Sequence, residues 1–145
     1  MNTITPNQWI ATAGDGGTAV AGRGGIATTG DDGIAVTGDG GTAVAEHYGI
    51  ATAGNGGTAT AGHFGTAIAG DYGTAIAGDF GAAIAGYGGN ATVGAHGNIT
   101  ITFWCYKDLA YKMATGTAEF DGILPNVPYH VHESPSGWCL TEVSS

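Results

Sequence analysis

Small apolar residues and short polar pairs alternate along residues 10–97 with a period of eight. Each unit reads [T/I]-A-[V/I/T]-[A/T]-G-x-x-G, as in TAIAGDYG at residues 66–73. The second glycine of the unit returns eleven times without a break, from Gly17 to Gly97. Such strict self-similarity is typical of stacked repeats, in which each copy meets the same neighbours above and below.

One octad predicts one short strand and one tight turn. Its first four residues are small or β-branched and suit a strand, whereas G-x-x-G suits a turn because glycine tolerates positive φ. A helix is excluded because two glycines per octad would each cost about 1 kcal/mol relative to alanine. We therefore predict an all-β fold, a β-solenoid in which neighbouring coils pair their strands.

Bulky residues in front of the second glycine recur at a spacing of sixteen, at Tyr48, Phe64 and Phe80. The intervening octads mostly carry glycine there. This alternation predicts a coil of two octads, or sixteen residues, with two different edges. One edge would carry a ladder of Tyr48, Phe64 and Phe80 with His47 and His63 beside it, and we predict that this ladder is the interface of a homodimer.

The invariant second residue of the octad is alanine, which favours a thin core with alanine inside. A second observation favours the reverse: isoleucine at the first position tends to accompany threonine at the third, as in Ile26 and Thr28, and such volume compensation is typical of buried positions. Both orientations stay open from sequence. Glu46 replaces a glycine of the repeat, which predicts an altered turn with a polar contact.

The chain divides into an N-terminal segment at 1–9, the repeat at 10–97 and a C-terminal β cap at 98–145. Trp9 is expected to cover the open end of the stack. After Gly97 the turn glycines cease, and residues 98–106 are predicted to form a strand that leaves the stack. Residues 109–120, 127–132 and 138–143 are predicted as further strands of the cap.

The net charge is −9, of which the repeat contributes −6. A surface of this sign repels nucleic acid and suits a basic partner, including a protein that normally holds DNA or RNA. Solubility alone also accounts for it, because β-rich edges need charge to avoid self-association. The acidic surface is expected at six aspartates of the turns: Asp15, Asp31, Asp32, Asp39, Asp71 and Asp79.

Little in the sequence indicates chemistry, and we predict no enzyme and no cofactor. His130 and His132 share one strand face and are weak candidates for a metal site, which Glu133 or Cys139 could complete. No metal is predicted overall, and whether Cys105 and Cys139 pair is left open. The chain shows no membrane span and no signal peptide, and together with two cysteines this favours the cytoplasm of a bacterial host.

The octads, such as AGDYGTAI at residues 69–76, resemble the A-G-Y-G-S-T-x-T octads of bacterial ice-nucleation proteins. They are similar, too, to short G-T-A-T-A-G-x-x repeats of uncharacterised bacterial and phage proteins, whose G-I-K-P-N-x-x-Y-x-V ending resembles residues 122–131. The resemblance implies a sixteen-residue coil, an aromatic edge ladder that can mediate dimerisation, and outward Thr-x-Thr rows that order water. This chain has that motif only at residues 58–60.

Three functions follow as hypotheses. The first is an acidic module that binds a protein partner, including as a nucleic-acid-mimicking inhibitor of a host protein. The second is a structural spike, stalk or adhesin segment, and the third is an ice-interacting protein. We rank them in that order.

Overall fold

A computed structural model describes residues 3–5, 10–105, 107–134 and 137–143. The predicted Trp9 cap lies outside the described residues. The described residues contain sixteen strands, numbered in chain order. They are β1 (Thr3–Thr5), β2 (Ile10–Ala13), β3 (Thr18–Ala21), β4 (Ile26–Thr29), β5 (Ile34–Thr37), β6 (Thr42–Ala45), β7 (Ile50–Ala53), β8 (Thr58–Ala61), β9 (Thr66–Ala69), β10 (Thr74–Ala77), β11 (Ala82–Ala85), β12 (Asn90–Val93), β13 (Asn98–Cys105), β14 (Ala110–Thr117), β15 (Tyr129–Ser134) and β16 (Gly137–Glu142).

The strands alternate between two eight-stranded sheets, so that each coil contributes one strand to each sheet. The odd-numbered strands from β1 to β13, followed by β14, form the first sheet in the order β1-β3-β5-β7-β9-β11-β13-β14. The even-numbered strands from β2 to β12, followed by β15 and β16, form the second, in the order β16-β15-β12-β10-β8-β6-β4-β2. Within the repeat all pairs are parallel and displaced by sixteen residues, as in Ala19 with Ala35. The fold is a β-solenoid of about 6 turns with roughly 16 residues per turn, which confirms the predicted architecture.

Alanine faces the core. The second residue of every octad strand is fully buried or nearly so, from Ala11 at 1% exposure to Ala91 at 0%. The fourth residue is buried as well, and the first and third positions point outward. The alternative, in which Thr, Ile and Val face inward, is therefore wrong. The first and third residues of the strand are neighbours on its outer face, because residues i and i+2 of a strand point to the same side. The compensation in volume between them therefore occurs on the surface and not in the core.

Two threonines interrupt this alanine core. Thr29 and Thr37 occupy the fourth position of consecutive octads and are buried at 1% and 5% exposure. Neither hydroxyl has a hydrogen-bond partner among the described residues. A buried hydroxyl without a partner costs about 1–3 kcal/mol.

All eleven turns of the repeat share one backbone shape. The residue before the second glycine has positive φ in every turn, whether it is Gly56 at 66° or Phe64 at 59°. The second glycine then leaves no room for a side chain, because a Cβ at Gly57 would lie 2.7 Å from the oxygen of Gly41. The turn at Glu46 keeps the same closing bond, from the Gly49 N–H to the Glu46 oxygen at 3.2 Å. The predicted altered turn there is therefore wrong, and the Glu46 side chain makes no hydrogen bond or ion pair within the described residues.

The stack continues past the last repeat. The first four residues of β13 pair in register with β11, from Asn98 opposite Ala82 to Ile101 opposite Ala85. The prediction that this strand leaves the stack is therefore wrong for its first half. A strand stays in the stack because its inward side chains, here Ile99 and Ile101, are buried at 0% and 1% exposure and continue the core.

Two hairpins close the C-terminal end. β14 pairs antiparallel with β13, and β15 pairs antiparallel with both β12 and β16. Between the hairpins Phe103, Cys105 and Ala114 form a small second core with Val131 and Leu140. In the β13–β14 turn, a hydrogen bond from Lys112 lowers the pKa of Asp108, and the same bond raises the pKa of Lys112. Among the described residues there is no helix with the length and apolar character needed to cross a membrane.

Candidate functional site at the two edges of the solenoid

The turns of the repeat form two edges that have the same backbone but different side chains. Six turns lead from the second sheet to the first and form what we call the aromatic edge: residues 14–17, 30–33, 46–49, 62–65, 78–81 and 94–97. Five turns lead back and form the glycine edge: residues 22–25, 38–41, 54–57, 70–73 and 86–89. A functional role is expected for the side chains that differ between the two edges.

The predicted ladder lies on the aromatic edge. The rings of Tyr48, Phe64 and Phe80 stack nearly parallel, with 5.1 Å between successive centroids and interplanar angles of 7° and 5°. The column continues through His96 at 5.0 Å to Phe120 at 5.8 Å, an extension that the repeat alone did not indicate. The three predicted rings are 60%, 51% and 54% exposed, so they form an apolar strip on the surface.

These rings occupy a position that favours glycine. A residue other than glycine in the left-handed region costs about 1–2 kcal/mol. Four of the five turns on the glycine edge use glycine there, at Gly24, Gly40, Gly56 and Gly88, whereas Gly16 is the one example on the aromatic edge. The fold therefore accepts glycine at this position, and folding alone does not require an aromatic residue.

His47 and His63 lie beside the ladder, as predicted, and belong to a second column with a structural role. The rings stack at 5.0 Å. In this column each side chain accepts a hydrogen bond from the backbone N–H sixteen residues later. Its members on the aromatic edge are Asp15, Asp31, His47, His63 and Asp79, with distances of 2.8–3.3 Å.

The same ladder of acceptors runs along the glycine edge through Asp39, Asn55 and Asp71, at 2.9–3.0 Å. Asp and Asn accept through Oδ1 and His through Nδ1, atoms at equivalent reach from the backbone. Sequence reasoning missed this role, although Asp, Asn or His at eight of the eleven copies of the position was visible. Five of the six predicted acidic residues therefore hold coils together as well as carrying charge.

The sixth, Asp32, lies in the ring column one coil before Tyr48 and has φ of 57°. Read along that column, Gly16 and Asp32 come before the three rings, and His96 and Phe120 come after them. In the column beside it, acids stand at both ends and the two histidines in the middle. Asp39 and Asp71 lie apart from these residues, on the glycine edge.

The described residues do not form a metal site. No three His, Cys, Asp or Glu side chains in the described part of the chain are close enough to share an ion. His130 and His132 do lie on one strand, and Cys139 is the register partner of His132. Cys105 is buried and Cys139 is exposed, and both are free.

A second aromatic cluster, which sequence reasoning missed, lies where the glycine edge meets the cap. Tyr72 meets Tyr87 edge to face at 5.7 Å, and Tyr111 links Tyr87 to Trp104 at 6.2 and 4.9 Å. These residues are spread over four segments of the chain, so no local spacing could have revealed the cluster. Its one sequence signal was Tyr72, which stands at a position that is glycine in the other four turns of the glycine edge.

Fold and edges together define a short acidic β-solenoid with one aromatic edge. Comparisons with family models, curated proteins and solved structures give no match to this chain.

Proposed function

We propose that this chain is a non-enzymatic binding module that forms a homodimer through its aromatic edge and presents its carboxylates to a protein partner with a basic surface. The observation that carries the proposal is the difference between the two edges. Aromatic rings occupy one edge at a position where the other edge shows that glycine suffices.

The energetics support binding as the reason for the rings. Each aromatic residue in the left-handed backbone region lowers the stability of the fold by about 1–2 kcal/mol. Each stacked pair returns about 0.5–1.5 kcal/mol, and glycine would lose about 0.5–1 kcal/mol through its greater freedom in the unfolded chain. The terms nearly cancel, so the isolated fold gains little from Tyr48, Phe64 and Phe80. An exposed apolar row that does not stabilise its own chain is typical of an interface.

The order of charges along the edge favours an antiparallel dimer. A two-fold axis through Phe64 places Tyr48 opposite the second copy's Phe80. The same axis places Asp32 opposite the second copy's His96, which also pairs with Glu119 of its own chain at 3.1 Å, and His47 opposite the second copy's Asp79. The surface is therefore self-complementary, as a two-fold interface requires, with rings at its centre and polar groups around them.

Cysteine cross-linking tests this arrangement. In a background with Cys139→Ser, the variant Phe64→Cys is expected to form a disulfide-linked dimer under mild oxidation. Tyr48→Cys is expected not to, because the antiparallel arrangement separates the two copies of residue 48. Cross-linking of Tyr48→Cys as efficient as that of Phe64→Cys would support a parallel pair instead.

The basic partner is supported by the net charge of −9 and by the open glycine edge. In the proposed dimer Asp39 and Asp71 stay accessible, whereas Asp31 and Asp32 lie at the interface. Carboxylate rows of this kind can occupy a groove that normally holds nucleic acid, so the nucleic-acid-mimic hypothesis is included here.

Charge-neutral variants that keep the fold can test the partner. Asn55 already serves as a ladder acceptor, so aspartate to asparagine removes charge without removing the bond. A pull-down from the native host is expected to yield a partner whose capture weakens steeply with salt. The double variant with Asp39→Asn and Asp71→Asn should no longer capture the partner. The double variant with Asp31→Asn and Asp32→Asn should still capture most of it. Capture that is insensitive to salt and to both variants would contradict this part of the proposal.

A further inference from the structure

The strongest unexplained feature outside the aromatic edge is a recess of about 300 Å³ between the last coils and the cap. Its walls come from the glycine-edge turn at residues 86–89, from β13 and from β15. Its aromatic lining is Tyr72, Tyr87, Phe103 and Trp104, and its polar lining includes Asn90, Thr102 and His130. The volume lies at the lower end of the range for small-molecule sites, roughly 300–1,000 Å³.

The recess exists because the chain omits one turn. After Ala85 the chain turns through residues 86–89 and crosses to the second sheet. Ile101 is the register partner of Ala85, yet β13 runs straight on to Cys105. The turn at 86–89 is therefore not covered by another turn, and the space above it is enclosed by β13 and by His130 and Val131 of β15.

Gly88 allows Tyr72 to form one wall. A Cβ at Gly88 would lie 2.7 and 2.8 Å from two carbon atoms of the Tyr72 ring, so the ring lies across the position where a side chain would project. Tyr87 stands nearly perpendicular to it, at 86°. Two tyrosines at right angles give the recess an apolar surface with polar hydroxyls, a pairing suited to an amphipathic ligand.

The polar side chains of the lining are an amide, a hydroxyl and an imidazole. No Asp, Glu, Lys or Arg is among the described residues that line the recess. The side chains of Asn90, Thr102 and His130 make no hydrogen bond to the described part of the protein. An amide, a hydroxyl and an imidazole supply both donors and acceptors, and here they stay available for a ligand.

We propose that this recess binds a neutral saccharide, at the level of one pyranose ring. The C–H face of such a ring is apolar and packs on aromatic side chains, while its hydroxyls need neutral groups that both donate and accept hydrogen bonds. A quaternary ammonium ion also fits aromatic walls. The lining lacks a carboxylate to balance its charge, however, and the polar groups would have no role.

The test uses the full chain and ligand-observed NMR with a panel of methyl pyranosides, and tetramethylammonium as the competing class. At least one glycoside is expected to bind, with saturation transfer to its ring protons. Tyr72→Gly removes one wall, and four other glycine-edge turns show that glycine is accepted there. Asn90→Thr places at this position the residue that Thr74 provides one coil earlier. Each variant is expected to weaken binding about tenfold or more.

The matched control is Ile76→Thr, on the outer face of β10, where the neighbouring coil carries Thr60. It should bind as the unmodified chain does. Circular dichroism on all variants checks that the solenoid is intact. The proposal is overturned if no pyranoside binds, if binding survives both recess variants, or if tetramethylammonium binds and the sugars do not. None of these outcomes depends on dimerisation.

Discussion

The aromatic and glycine edges share a backbone, a ladder of side-chain acceptors and a turn with one residue of positive φ. They differ in what occupies that residue: aromatic rings on one edge and mostly glycine on the other. The common features reveal what the fold requires. The difference isolates what the fold does not require, and we assign that difference to binding.

The largest expected effect is the same on both edges and tests whether the backbones are equivalent. Gly57→Ala on the glycine edge and Gly65→Ala on the aromatic edge each place a Cβ within 2.9 Å of the previous coil or of an inward alanine. Because backbone atoms cannot move aside, each variant should lower the free energy of unfolding, measured by urea denaturation, by about 3 kcal/mol. Gly56→Ala, whose Cβ meets no atom but whose φ is 66°, should lose only about 1–2 kcal/mol, the cost of a left-handed residue. A clearly different loss at positions 57 and 65 would break the comparison.

The acceptor ladders should come next. Asp39→Ala on the glycine edge and Asp31→Ala on the aromatic edge each remove one bond to the following coil. Each should cost about 1 kcal/mol, the usual net value of a hydrogen bond. The matched Asp→Asn variants keep Oδ1 and should be close to neutral. If asparagine is as damaging as alanine, charge rather than hydrogen bonding is what the position provides.

An effect of similar size and opposite sign is expected in the core. Thr29 and Thr37 each precede a turn, one at each edge, and both hydroxyls are buried without a partner. Thr29→Ala and Thr37→Ala restore the residue of most other octads. Removal of an unpaired buried hydroxyl should stabilise the fold by more than the loss of one buried methyl destabilises it. Each variant should therefore raise the free energy of unfolding by about 1 kcal/mol. Destabilisation in thermal or chemical denaturation would show that these hydroxyls have partners, such as ordered water.

Much of the fold could be predicted from the sequence because the repeat is local. A period of eight with alternating bulk gives the coil, and the octad gives strand and turn. The orientation was harder, since Ile26 and Thr28 compensate in volume on an outer face as readily as inside. The predicted cap strands lay close to the observed ones, but their partners could not be inferred, because pairing such as β15 with β12 joins residues far apart in sequence.

The candidate sites, like the fold, were predictable only where their residues follow the repeat. The ladder of Tyr48, Phe64 and Phe80 was visible because its members are evenly spaced. Phe120 and the recess were not, because they depend on where the cap folds back. The sequence predicts surface charge at the aspartates but not their hydrogen bonds between coils, because those depend on the reach of Oδ1 and Nδ1 to the next coil.

The most direct test of the central claim is sedimentation equilibrium on the unmodified chain and on the double variant Phe64→Gly with Phe80→Gly. Tyr72→Gly is the matched control, since it removes a left-handed ring from the other edge. We expect twice the monomer mass for the unmodified chain and for the control, and the monomer mass for the double variant. The double variant should change the free energy of unfolding of the isolated monomer by less than about 1 kcal/mol. A monomeric unmodified chain, a double variant that stays dimeric, or one that unfolds would contradict the assignment of the aromatic edge to binding.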